Sequence, residues 1–171
     1  LPFKRYHIAK VWRGEKPQAG RYREFVQCDV DTVGSDTAAA DFEILNVMKS
    51  ALSAIGVDDI TINVNHRGIF NRFLSKLDLL EKSEDILRSV DKLAKVGQES
   101  VVSELIQITQ SPEKSNKIIE YISAKGSFLE ILAQLEEMAG GPAEDTQRMK
   151  DIYNMMCASG IESTYVLNPS I

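Results

Sequence analysis

At 171 residues the chain is long enough for one sizeable domain, or for one domain carrying a small insertion. Hydrophobic residues make up 43% and charged residues 26%, as in a globular protein. No apolar run reaches membrane-spanning length, which excludes a protein built on transmembrane helices. The net charge of −5 is uneven: residues 1–31 hold seven basic and four acidic side chains, leaving −8 on the rest. A cationic end on an acidic body fits binding of a nucleotide and excludes a chain-wide grip on nucleic acid.

The chain opens with two runs rich in β-branched and aromatic residues, Tyr6 to Trp12 and Tyr22 to Val30. Gly14, Pro17 and Gly20 punctuate the gap, so Phe3–Arg13 and Tyr22–Val33 read as a β-hairpin with a charged, mobile tip at Glu15 to Arg21. Side chains alternate across a strand. Tyr22, Val26, Cys28 and Val30 therefore share one face, read as core, with Trp12 also packed inward. Arg21, Arg23, Phe25, Gln27, Asp29 and Asp31 share the other.

That second face offers guanidinium, ring, amide and carboxylate in order, with same-face neighbours about 7 Å apart. Guanidinium groups suit phosphate oxygens, a ring can stack on a purine, Gln27 can both donate and accept, and Asp31 can hold an ammonium group. Arg13 adds a second cation facing the same area. Taken alone, the pattern also describes an ordinary solvated antiparallel face.

From Asp36 the period becomes helical, with Ala39, Phe42, Leu45 and Leu52 on one stripe, Asp36 as N-cap and Gly56 closing the helix. Ile60 to Val64 alternates as a short strand with Ile60, Ile62 and Val64 inward. Asn65 or His66 leads into a helix near Gly68 to Leu80 that buries Ile69, Phe73, Leu74 and Leu77. Together these make an α+β sheet covered on one side.

Four short helical patterns follow: Ser83 to Val96, Glu99 to Thr109, Pro112 to Lys125 and Phe128 to Ala139, with Pro112 at a first helical position behind Ser111. Gly140-Gly141-Pro142 ends the run as a hinge. Lys92 and Lys95, with Arg88 one turn earlier, bring three cations near one face of a segment (81–141) whose balance is −4. A last helix, Glu144 to Ser159, carries Met149, Ile152, Tyr153, Met156 and Cys157 as a core stripe. Thr164 to Leu167 reads as a strand rejoining the sheet. Neither Cys28 and Cys157 nor His7 and His66 show metal-ligand spacing, and both cysteines read as small buried hydrophobes in a reducing compartment.

The stretch from Tyr6 to Asp31 resembles motif 2 of the class II aminoacyl-tRNA synthetases, specifically the histidyl-tRNA synthetase family. The general signature stands as Arg13-Gly14-Glu15 and Arg21 four residues before Phe25. The runs Pro-Gln-Ala-Gly-Arg-Tyr-Arg-Glu-Phe and Gln-Cys-Asp-Val-Asp single out the histidine enzymes. The resemblance implies an α+β fold that is part of a class II antiparallel sheet with flanking helices, plus an all-helical insertion. It divides the chain into a core portion (1–80), the insertion (81–141), and a return helix and strand (142–171). It implies activation of histidine by ATP and transfer to tRNA(His), with Arg13 on the α-phosphate, Glu15 on the adenine amino group, Arg21 on the β- and γ-phosphates and Phe25 stacked on adenine. Gln27 would orient the carboxylate or adenylate, Asp31 would hold the α-ammonium, and Arg23 and Asp29 would brace the row as an ion pair. Arg13 and Gln27 are thus the catalytic candidates. Mg²⁺ is expected with ATP, its ligands unidentified, and the parent is expected to be a cytoplasmic homodimer without membrane contact.

With no initiator Met, motif 1, Arg-Gly-Leu-Asp-Tyr-Tyr run, motif 3 arginine or anticodon-binding domain, the chain reads as a fragment, catalytically incomplete alone. The alternatives are a synthetase-like regulatory subunit of ATP phosphoribosyltransferase and a non-catalytic interaction module.

Overall fold

The computed structural model describes residues 2–93 and 97–171. Lys95, and the helix expected to reach Val96, lie in part outside the described residues. The chain forms two compact units, 1–58 and 59–171.

In the first unit β1 (Phe3–Trp12) and β2 (Glu24–Val33) pair antiparallel, in register from Phe3 opposite Val33 to Trp12 opposite Glu24. Gln18 and Arg21 exchange backbone hydrogen bonds of 3.1 and 2.8 Å at the tip. Gly20 makes that turn with φ +75°, a conformation glycine adopts freely. α1 spans Ala38–Ala54, and its N-cap is Thr37, whose hydroxyl accepts from the Ala40 N–H. The expected cap, Asp36, lies one residue too early. Thr37 is the residue with extended backbone directly before the first helical turn, which puts its oxygen within reach of the orphan amides. Gly56, at φ +83°, ends the helix as predicted: its N–H reaches Ser53 O while Val57 N–H reaches Leu52 O.

The expected core face of the hairpin is corrected. Tyr22 is 69% exposed, Val26 65% and Trp12 68%, and Cys28 is exposed as well. Two strands and one helix are too few to close a core, and no described residue of this unit is fully buried. The half-buried positions of the hairpin are largely those of the opposite face: Ala9, Val11, Phe25, Gln27, Asp29 and Asp31.

In the second unit β3 (Ile62–Val64) pairs parallel with β4 (Tyr165–Leu167). Here too an expectation is corrected: among the described residues β4 makes a two-stranded sheet with β3 and does not join the hairpin. A parallel pair needs a long crossover, and the helical run between Val64 and Tyr165 supplies one. That run comprises α2 (Arg67–Lys76), a 3₁₀ turn at Leu80–Lys82, α3 (Ser83–Val90), α4 (Gln98–Thr109), α5 (Pro112–Ile122), α6 (Phe128–Met138) and α7 (Glu144–Ala158).

The cap expected at Ser111 forms, and a second one lies at Ser127. Ser111 accepts from Lys114 N–H with Pro112 at the first helical position, and Ser127 with Glu130 forms a capping box. The core forms where apolar stripes meet: Phe73 of α2 stacks on Tyr121 of α5 at 4.5 Å between centroids, and Phe70 lies 5.2 Å from the same ring. α2 also grips the return turn. Arg72 donates bidentately to Asp145 at 2.9 Å and to the carbonyls of Ala139 and Gly141 at 3.2 and 3.0 Å. Met149, Ile152 and Met156 of α7 are buried as predicted, whereas Cys157 is exposed because it lies off that stripe.

Candidate active site on the hairpin

The register decides which side chains meet. Phe25, Gln27, Asp29 and Asp31 lie opposite Val11, Ala9, His7 and Arg5, so these eight positions form one face. Arg13 follows β1 directly and its N–H donates to Arg23 O at 2.9 Å, which keeps the two chains together at the start of the tip. Its guanidinium carbon lies 5.0 Å from the centre of the Phe25 ring, and its Nη2 donates to Gln27 Oε1 at 3.1 Å. Gln27 in turn donates through Nε2 to Asp29 Oδ1. The sequence placed Arg13, Phe25 and Gln27 on a common side, and the structure brings them into contact.

Glu15 and Arg21, from the two arms of the tip, form an ion pair. Arg23 and Asp29 do not: Arg23 Nε donates to the Glu15 carbonyl at 3.1 Å, and Asp29 is taken by Gln27. The expected Arg23–Asp29 brace is thereby corrected, since Arg23 precedes β2 and follows the tip backbone. The residue that sequence reasoning missed is Arg5, whose Nε donates to Asp31 Oδ2 at 2.7 Å. Hairpin register could have found it, because Arg5 is the directly opposed partner of Asp31. On the reverse face Lys10 and Trp12 both donate to Glu24 and hold its carboxyl below the usual range, Lys10 having the larger effect.

Away from the hairpin, Lys92 pairs with Glu104 at 2.7 Å and Arg88 with Asp85 at 3.0 Å, so two of the three clustered cations already have acidic partners. The second unit also has an open cleft of about 590 Å³, whose lining includes Arg67, Phe70, Glu84 and Pro169 and none of the predicted site residues. Among the described residues no group of three or more His, Cys, Asp or Glu could hold a metal ion. Asp29 and Asp31 are engaged by Gln27 and Arg5. These residues alone do not fit a Mg²⁺ site.

This face brings together a cation over a ring, an amide and two carboxylates. The family model described as histidyl-tRNA synthetase matches residues 2–169. The chain belongs to the histidyl-tRNA synthetase family. A histidine–tRNA ligase of Treponema denticola is 57% identical over the whole chain, and one of Rhodopirellula baltica is 44% identical over 94% of it. The chain spans 39% and 37% of their lengths. The crystal structure of histidyl-tRNA synthetase from Nostoc sp. PCC 7120 matches with a TM-score of 0.86 at 24% identity, covering 100% of this chain and 41% of that one. That likeness establishes the α+β fold for this histidyl-tRNA synthetase family member.

Proposed function

We propose that this chain is the segment of a histidine–tRNA ligase that binds ATP and histidine for the activation step. The observation that carries the reading is the contact of Arg13 with both Phe25 and Gln27 on one half-buried face. In the first half-reaction a carboxylate oxygen of histidine bonds to the α-phosphorus of ATP, the bond to the β-phosphate bridging oxygen breaks, and pyrophosphate leaves. The protein's task is to orient the reactants and neutralise phosphate charge.

In this reading Arg13 takes the α-phosphate, for which two parallel N–H donors on a permanently charged group are suited. Phe25 stacks on adenine, exchanging the Arg13 cation for the base on its ring face. Glu15 accepts from the adenine amino group and Arg21 meets the β- and γ-phosphates, so ATP replaces the Glu15–Arg21 pair with one contact to each partner. Gln27 orients the histidine carboxylate and Asp31 holds the α-ammonium. In the second half-reaction the tRNA 3′-terminal hydroxyl attacks the activated carbonyl and AMP leaves.

The division into core (1–80), helical insertion (81–141) and return (142–171) belongs to the same proposal, as do tRNA(His) as acceptor, ATP accompanied by Mg²⁺, a homodimeric parent and a cytoplasmic location. No helix among the described residues is long and apolar enough to cross a membrane. The regulatory-subunit alternative has no support from the relatives, which are named histidine–tRNA ligases.

The test is histidine-dependent exchange of labelled pyrophosphate into ATP by the protein of the relatives' full length that contains this segment. Exchange that requires histidine and is lost in Arg13→Ala supports the reading. Exchange that survives Arg13→Ala, or needs another amino acid, overturns it. Because the 171 residues span about two-fifths of such a protein, they are expected to lack exchange on their own.

A further inference from the structure

We propose that Arg5 is a positioning residue for the amino-acid end of this site, setting the orientation and charge balance of Asp31; the inference rests on the reading of Asp31 as the ammonium partner. Arg5 lies on β1, outside the motif residues, yet the register puts it directly opposite Asp31 on the ligand-facing side of the hairpin. Its Nε donates to Oδ2 at 2.7 Å. That contact fixes one carboxylate oxygen, so Oδ1 is the oxygen that a ligand ammonium takes, with the carboxylate held in one rotamer.

The charges along the face make the pairing selective. Same-face neighbours on a strand stand about 7 Å apart, so Asp29 and Asp31 alone would create a doubly anionic patch. A patch of that kind attracts any amine. Gln27 satisfies Asp29 through a neutral amide, whereas Arg5 sets a full positive charge against Asp31. A net-neutral cation–carboxylate pair favours a zwitterionic α-amino acid, whose ammonium meets Asp31 while its carboxylate lies toward Gln27 and Arg13. It gives a simple cationic amine little to gain. Arg5 thus acts on amino-acid selection, away from the nucleotide end where Arg13 and Phe25 lie.

Both side chains are about half exposed, 57% for Arg5 and 42% for Asp31, and an ion pair so placed adds little to stability. Variants at Arg5 should therefore fold, and melting curves verify that. The experiment uses the full-length protein containing this segment and measures histidine-dependent pyrophosphate exchange for Arg5→Met, Arg5→Lys and Asp31→Asn. The probes are histidine and its decarboxylated amine, histamine, as inhibitor. In Arg5→Met the KM for histidine should rise about 10-fold, with the KM for ATP within twofold, and Arg5→Lys should recover part of the loss because it restores charge without the guanidinium geometry. The ratio of histidine KM to histamine inhibition constant should also rise, since the amine no longer meets a neutralised carboxylate.

Equal rises in both KM values, or an unchanged histamine ratio, would mean a merely structural role and overturn the proposal. If Asp31→Asn raises the histidine KM and Arg5→Met does not, the Arg5 proposal fails while the Asp31 reading stands. If Asp31→Asn leaves the histidine KM unchanged, the Asp31 reading fails and takes the proposal with it.

Discussion

The guanidinium of Arg13 stands 5.0 Å over the ring of Phe25 and donates to Gln27 at the same time. One side chain at the end of β1 therefore links the ring to the amide on β2. With Arg13 itself exposed, such a cation–ring contact contributes about 0.5–1 kcal/mol, so the arrangement is weak enough for a ligand to replace. Arg13→Ala should lower ATP affinity of the full-length protein at least 10-fold, an effect of about 1.4 kcal/mol or more, because one strong charge-assisted contact is lost. Arg13→Lys should recover only part, since a single ammonium cannot form the bidentate contact. Calorimetric titration with ATP checks both, and unchanged affinity in Arg13→Ala removes Arg13 from the site.

Arg72 anchors the second unit through four hydrogen bonds. It satisfies Asp145, whose side chain is 12% exposed, and two carbonyls of the turn around Gly140, where the C-terminus of α6 leaves acceptors unpaired. Truncation strands a nearly buried carboxylate. Arg72→Ala should cost about 3 kcal/mol in urea denaturation, and Arg72→Ala/Asp145→Ala together should cost less than the sum of the singles. A loss below about 1 kcal/mol would contradict the anchoring role.

Glu136 gives the second unit an acid-dependent element. Hydrogen bonds from Lys150, at 2.7 and 2.9 Å, hold its carboxyl below the ordinary 4.5; burial opposes them and the Thr146 hydroxyl adds to them. A carboxyl depressed in the folded state contributes stability that is complete above its unfolded value and lost as pH falls through the folded one. Stability should hold above about pH 4.5 and decline below it, and the decline should be shallower in Lys150→Met. Urea midpoints across pH 3–7 read this directly. Equal slopes in the two proteins would contradict it.

Tyr121 carries the opposite kind of group. Its ring packs against both Phe70 and Phe73, its hydroxyl is buried with no hydrogen-bond partner among the described residues, and burial pushes the phenol well above its ordinary range. Because a buried unpartnered hydroxyl costs about 1–3 kcal/mol, Tyr121→Phe should keep or raise the melting temperature. Destabilisation by more than about 1 kcal/mol would reveal a partner for that hydroxyl.

Much of this was legible in the sequence because the signals were local. Ser111-Pro112 and Gly56 each carry their own helix boundary, and period-2 alternation placed Phe25, Gln27 and Asp31 on one face. What local signals could not carry was pairing between distant segments. Nothing near Thr164 says that β4 meets β3 in parallel across a hundred residues of helix, and nothing near Tyr22 or Val26 says whether a second layer covers them. Asp36 competed with Thr37 for the same cap, and the helix starts one residue too late for Asp36 to fill it. Arg5 carries no local signal of its own, because its partner is specified by cross-strand register.

The most direct measurement is a crystal structure of the full-length protein with a non-hydrolysable histidyl-adenylate analogue. The expected result has the adenine ring on Phe25, the phosphate mimic at Arg13, the ammonium at Asp31 and the acyl group toward Gln27. An analogue bound away from the β1–β2 face, or with Phe25 turned from the base, would contradict it.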